Sequence, residues 1–263
     1  MSGTSLTSPQ GFSLNENHFE VKDLSQDSLD KIIEIYSTPR TSFIRSNMVV
    51  SLDGNYFGPS GKSKDISSSF DILIMQVIRM HSDAVLVGAK TAIGPGYHLD
   101  KLRPQQNQDL TNKARLVVVS NTLSIPDDAP LFANKIRPLV ITKSSNDIEW
   151  KHRFDSLSER LEIHAVKTRD ITGKQIREVL TQHQLQKVVC EGGPKLLDTM
   201  LHDDQIDEMC LTISPTLLGT FGHTNESAFT SALGSTAKHF EFSHVHSHDG
   251  FIFARLAPTD KHL

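Results

Sequence analysis

The chain has 263 residues, with hydrophobic residues at 37%, charged residues at 22% and a formal net charge of −4 at pH 7. That length suits one large domain or two small ones with a sizeable core, and the acidic balance argues against a general nucleic-acid or anionic-membrane surface. The two cysteines, Cys190 and Cys210, supply neither a disulfide framework nor a zinc ligand set, and both sit in apolar, strand-like runs that suit buried free thiols.

Residues 1–17, rich in Ser, Gly, Asn and Pro, read as a disordered lead-in. They lack the basic start and apolar stretch of a signal peptide, and no run in the chain is long enough to span a bilayer, so a cytoplasmic protein is expected. Residues 18–40 form an N-terminal extension with a helix over 24–36, where Leu29, Ile32, Ile33 and Tyr36 share one side before Pro39 ends the pattern. The main domain, 41–258, opens with a strand over 43–52 that closes at the turn dipeptide Asp53-Gly54. After a Gly, Pro and Ser loop through Ser63, a helix over 68–80 starts at Ser68 and Asp71, a spacing like that of a capping box. Phe70, Leu73, Ile74, Val77 and Ile78 line its apolar face.

The runs 83–88, 115–120, 138–142 and 187–190 are short and continuously apolar, as in strands buried on both faces. Helical stretches lie between them, including 172–182. Alternation of this kind predicts an α/β protein with a mostly parallel central sheet. At the C-terminus, Phe240, Phe242 and Val245, then Phe251, Phe253 and Arg255, flank His248-Asp249-Gly250. That pattern predicts an antiparallel hairpin and hence a mixed sheet.

Ligands of open α/β sheets bind beyond the carboxyl ends of the strands, and three loops there are suggestive: Ser51-Leu52-Asp53-Gly54; Gly88-Ala89-Lys90-Thr91 with Gly94-Pro95-Gly96-Tyr97; and Glu191-Gly192-Gly193-Pro194. In the last, "VVCEGGPKLL" sets a carboxylate at a strand end, then two glycines, then a proline suited to the first turn of a helix. It is either a tight strand-to-helix turn or an anion site at a helix N-terminus. Arg79 either complements the C-terminal dipole of the 68–80 helix or grips a substrate phosphate in fork geometry. His244, His246 and His248 alternate onto one face, but no Cys or carboxylate cluster completes a metal site. A surface strand without metal is expected there.

The segments "NMVVSLDG" (47–54), "GKSKDISS" (61–68), "VIRMHSDAVLVGAKT" (77–91), "VVCEGGPKLLDTML" (188–201) and "IDEMCLTISPTLLG" (206–219) occur in an order that resembles the riboflavin-biosynthesis pyrimidine reductases, the RibD C-terminal domain family. The resemblance spans roughly residues 40 to 255. It implies a dihydrofolate-reductase-like three-layer fold, a homodimer and NADPH as cofactor. The implied reaction reduces a ribosylaminopyrimidine 5′-phosphate by hydride transfer to the ribosyl carbon. By this likeness Asp53 sits at the mouth of the active site and, with Glu191, belongs to the catalytic set. Asn47, Ser63, Arg79 and Glu191 are implied to bind substrate. Val50, Ser51, Thr91, Ser120 and the turn from Gly192 and Gly193 through Pro194, Lys195, Leu196 and Leu197 to Thr199 are implied to hold the cofactor. Asp65 stands where the family often has an aromatic residue, and Pro95 where it has an acid. Another substrate such as dihydrofolate, or a non-catalytic nucleotide-binding role, therefore stays open.

Overall fold

The computed structural model describes residues 18–21, 25–94, 97, 99, 114–219 and 237–259. The expected lead-in over 1–17 lies outside them, as do Pro95 and Gly96. The extension contributes β1 (His18–Glu20) and α1 (Gln26–Tyr36). The domain then runs β2 (Phe43–Val50), α2 (Ser69–Met80), β3 (Ala84–Gly88), α3 (Ala89–Ala92), β4 (Arg115–Val119), β5 (Leu139–Lys143), α4 (Ile148–Ser158) and β6 (Glu162–Val166). It continues with α5 (Gly173–Gln182), β7 (Lys187–Gly192), α6 (Pro194–His202), β8 (Glu208–Ile213), β9 (Phe240–His248) and β10 (Phe251–Pro258).

All ten strands join one sheet in the order β1-β9-β10-β8-β2-β7-β3-β4-β5-β6. Only β10 runs against its neighbours, pairing antiparallel with both β8 and β9, so the mostly parallel, mixed sheet is as expected. The hairpin is also as expected: His248 pairs with Phe251, and Asp249 (φ 48°) and Gly250 (φ 80°) form the turn. Positive φ at both central residues is the twist that a two-residue hairpin requires.

Alternation along the strands divides the core into two layers. Val85, Val87 and Val189 face Leu29, Ile32 and Tyr36 of α1, Phe70, Ile74 and Val77 of α2, and Leu157 of α4. Leu86, Val188 and Cys190 face Ile176 and Leu180 of α5 and Leu197, Met200 and Leu201 of α6. The result is three layers, helix on sheet on helix. Both cysteines are buried and free. Burial pushes each thiol up to about 12, so neither is a nucleophile near neutral pH.

Several expectations are corrected. Ser68 does cap α2, accepting the Asp71 N–H at 3.1 Å, but the Asp71 carboxylate takes the Ser67 hydroxyl at 2.6 Å, so the box does not close on the cap backbone. The histidine strand is not a surface strand. His246 is 0% exposed, stacked on Phe253 at 5.1 Å with Tyr36 and Phe70 edge-on. His248 accompanies it, with its Nδ1 2.5 Å from the Val21 carbonyl. Pairing of β1 along β9 and the covering helices α1 and α2 bury that face. Among the described residues no group of three metal-ligating side chains converges, and no helix is long and apolar enough to cross a membrane.

Candidate active site

Because β2, β3, β7 and β8 run parallel, their carboxyl ends share one edge of the sheet. The loops that leave them are 51–55, 89–94, 192–193 and 214–219. At this edge the register of β7 against β3 slips: Leu86 pairs with Cys190 but Val87 with Gly192. Glu191 is thus the extra residue of a bulge, and Gly192 takes φ +88°, a conformation that costs any other residue dearly. Bulges re-aim side chains. Alternation along β7 sets Glu191 on the same face as Val189, the face that carries α2, and the bulge leaves it without a partner on β3.

There it meets Arg79, on the last turn of α2. The guanidinium is 2% exposed. Nε donates to Glu191 Oε1 and Nη2 to Oε2, each at 2.5 Å. Tyr97 completes the cluster. Its hydroxyl donates to Glu191 Oε2 at 3.0 Å and accepts from Arg79 Nη2 at 3.5 Å, and its ring lies 5.7 Å from the guanidinium carbon. Burial disfavours the Arg79 charge, yet attraction and hydrogen bonding from Glu191 outweigh it and hold the pKa above its ordinary value. Burial first, then the negative charge of Glu191, pushes the Tyr97 phenol well above its ordinary range, so it remains a neutral donor. Arg79 Nη1 is buried and, among the described residues, has no hydrogen-bond partner. The fork expected to grip a phosphate is therefore engaged by Glu191, and one N–H-bearing nitrogen is left over.

The opposite face of the same edge carries the start of α6. Gly193 is its N-cap and Pro194 its first residue, and no side chain caps it. The Gly193 N–H donates to Thr91 Oγ1 at 3.3 Å. A Cβ on Gly192 would stand 3.3 Å from Met48 Sδ. Leu196 and Leu197 point into the core, so only their backbone belongs to the turn, whereas Lys195 is exposed. Val50 lies at the end of β2 with its carbonyl accepting from Ser214 N at 2.8 Å. Asn47, two residues beyond Arg45, lies on the α1 and α2 face beside Cys210.

Other expected residues stand apart from this cluster. Asp53 is exposed and ties two loops together. Ser51 Oγ donates to it at 2.5 Å, Gly219 N at 2.7 Å and Leu218 N at 3.2 Å. The Ser51 hydroxyl and these amides hold its carboxyl well below the usual range, so it is ionised near neutral pH and brought to neither Arg79 nor Glu191. Ser63 starts an exposed 3-10 turn, Ser63–Asp65, in a loop stitched by Asp65 Oδ2 accepting from Ser60 N at 2.7 Å. Ser120 is buried past β4 with its hydroxyl accepting the Leu123 N–H at 3.2 Å. Sequence reasoning did not assign Tyr97 to the site. Its one signal was its place directly after Gly94-Pro95-Gly96 in the sequence.

The family model for the RibD C-terminal domain matches residues 42–247. The riboflavin biosynthesis protein RibD of Aquifex aeolicus is 25% identical over 202 residues, which are 76% of this chain and 52% of that protein. The 2,5-diamino-6-ribosylamino-4(3H)-pyrimidinone 5′-phosphate reductase of Archaeoglobus fulgidus is 24% identical over 67% of this chain and 82% of its own length. The chain thus spans about half of the RibD relative and most of the archaeal reductase. Among solved structures, a pyrimidine reductase-like protein from Corynebacterium diphtheriae superposes with a TM-score of 0.72 at 24% identity, covering 88% of this chain and 99% of that one. With the match running from the first residues of the main domain to the far end of β9, and the overall fold shared with the corynebacterial protein, the chain belongs to the RibD C-terminal domain family.

Proposed function

We propose that this protein is an NADPH-dependent reductase of 2,5-diamino-6-ribosylamino-4(3H)-pyrimidinone 5′-phosphate or its deaminated form. The observation that carries this reading is a convergence at one sheet edge. A buried Arg79–Glu191 pair with one unused donor lies on the α2 face, and an uncapped, glycine-led helix start lies on the α6 face. Two ligands approaching from opposite faces meet over Gly192 and Gly193. The relatives named as reductases of this pyrimidine supply the substrate class.

The residues present fit a dinucleotide. Gly192 and Gly193 put no side chain in front of the α6 N-terminus, where uncapped amides and the helix dipole favour a diphosphate. Thr91, whose hydroxyl accepts the Gly193 N–H, and the exposed Lys195 border that approach. When bound, the cofactor supplies the hydride, and the protein supplies position and electrostatics. Arg79 Nη1 offers a donor to the pyrimidine, and Glu191 offers its carboxylate as acceptor. Asn47 lies on the same face of the sheet, and Asp53 ties loop 51–55 to loop 214–219. Reduction at the ribosyl carbon would open the sugar ring, and the former ring oxygen, taking a proton from solvent, would remain in the product as a hydroxyl on the ribityl chain.

The test is NADPH oxidation by the purified protein at matched concentrations of the ribosylaminopyrimidine phosphate and of dihydrofolate. Turnover of the pyrimidine alone supports the proposal. Turnover of dihydrofolate instead, or of neither, overturns it.

A further inference from the structure

We propose that Tyr97 is a positioning residue that fixes the Arg79–Glu191 pair and thereby leaves Arg79 Nη1 as the single buried donor presented to the substrate. The inference rests on the reading of this cluster as the substrate site. Three contacts carry it. The Tyr97 hydroxyl sits between Arg79 Nη2 (3.5 Å) and Glu191 Oε2 (3.0 Å), accepting from one and donating to the other. Its ring covers the guanidinium at 5.7 Å, a placement that favours a desolvated cation.

The geometry has a consequence for specificity. A guanidinium forked onto a carboxylate has its charge compensated, and a carboxylate oxygen loaded by both Nη2 and a phenol keeps its plane fixed. What remains is one N–H-bearing nitrogen, Nη1, buried without a partner. A buried donor left unmade is costly, so the site favours a ligand that brings an acceptor to that point. With the pair already neutral overall, a neutral acceptor such as a pyrimidine carbonyl fits better there than a phosphate dianion. Without the Tyr97 hydroxyl the Glu191 carboxylate can swing off the Arg79 fork, and Nη1 no longer points to one place.

The experiment compares wild type with Tyr97→Phe, which keeps the ring over Arg79 and removes only the hydroxyl. The ¹⁵N-resolved exchange of the Arg79 Nε–H needs no substrate. Loss of a hydrogen bond to a charged group should speed that exchange by about tenfold or more, whereas unchanged exchange overturns the proposal. Steady-state kinetics on the ribosylaminopyrimidine phosphate should then give a KM raised about tenfold, with kcat within about twofold and NADPH affinity and melting temperature unchanged. A fall in kcat at constant KM would place Tyr97 on the reacting atoms, and a loss that follows the melting temperature would make it merely structural. Either result overturns positioning. If the wild type turns over no pyrimidine, the functional reading fails, and the exchange measurement alone still decides for or against Tyr97.

Discussion

Arg79 and Glu191 illustrate how much a buried ion pair commits its surroundings. Their side chains are 3% and 6% exposed, and removing one partner from such a pair leaves the other charge desolvated and uncompensated, which typically costs about 3–5 kcal/mol. Glu191→Gln keeps the shape and half of the acceptors, so a milder loss of stability is expected together with a large loss of turnover. With NADPH bound on the α6 face as proposed, its affinity should stay near wild type; unchanged turnover would remove Glu191 from the substrate role. Asp71 presents the opposite balance. Burial raises its pKa above the ordinary value, and hydrogen bonds from Ser67 and Thr212 only partly offset this. A carboxyl whose folded pKa is raised binds more protons folded than unfolded across the interval between the two values, so its contribution to stability is present at low pH and is lost as pH rises through that interval. Asp71→Asn should therefore be at least as stable as wild type at pH 7, with the gap closing toward about pH 4. Denaturant midpoints across pH measure it, and a wild type more stable at pH 7 would contradict the assignment.

The glycines act at the scale of the element. Gly192 reaches φ +88° inside the β7 bulge, and a side chain there incurs about 1–2 kcal/mol of backbone strain besides a 3.3 Å approach to Met48 Sδ. Gly192→Ala should lower the urea midpoint accordingly. It should also reduce turnover beyond what the lost stability explains, because the bulge carries Glu191 and leads directly into Gly193 and the start of α6. Turnover falling only in step with folded fraction would detach the bulge from the site. Elements with strong local chemistry were legible in the sequence. Thr172 and Gln175 close a capping box that starts α5, Asp249-Gly250 closes the hairpin, and the apolar runs of β3, β4 and β7 were bounded to within a few residues. The helix α4 was not legible, because Leu157 is its one buried residue and its other apolar residues are exposed (Ile148) or only partly buried (Trp150 and Phe154). The edge strand β6 was hidden in the same way, with no fully buried position to set a pattern. Within the site, the glycines and the carboxylate could be read locally. The pairing of Arg79 with Glu191, 112 residues apart in the chain, could not, since only the sheet order brings α2 over the end of β7.

At the scale of the molecule, the extension is bound to the domain by charge as well as by apolar packing. Helix α1 has no basic residue in its last turn, yet a helix C-terminus carries partial negative charge and unpaired carbonyls. The sheet supplies the missing cations. Arg45 of β2, 1% exposed, donates to the Tyr36 carbonyl at 2.9 Å, and Arg255 of β10 donates to the Ile35 carbonyl. Both guanidiniums are also paired with one carboxylate, Glu208 of β8, and both lie about 6 Å from the Tyr36 ring centre (6.0 and 5.9 Å). Three strands and one helix therefore meet at Glu208, the helix through the two arginines. Replacing it with Gln leaves two largely buried cations without a counter-charge, and about 3–5 kcal/mol of destabilisation is expected. The loss should not be uniform. Local opening follows the weakest contacts, so amide exchange should rise first in α1 and only later in β3 and β7, whose Val85, Val87, Val188 and Val189 are wholly buried. An even rise across the sheet would mean that the extension is not held by this network. Exchange confined to α1 would also leave affinity for the proposed NADPH near its wild-type value, because Gly192, Gly193 and the start of α6 lie on the opposite face of the sheet from α1.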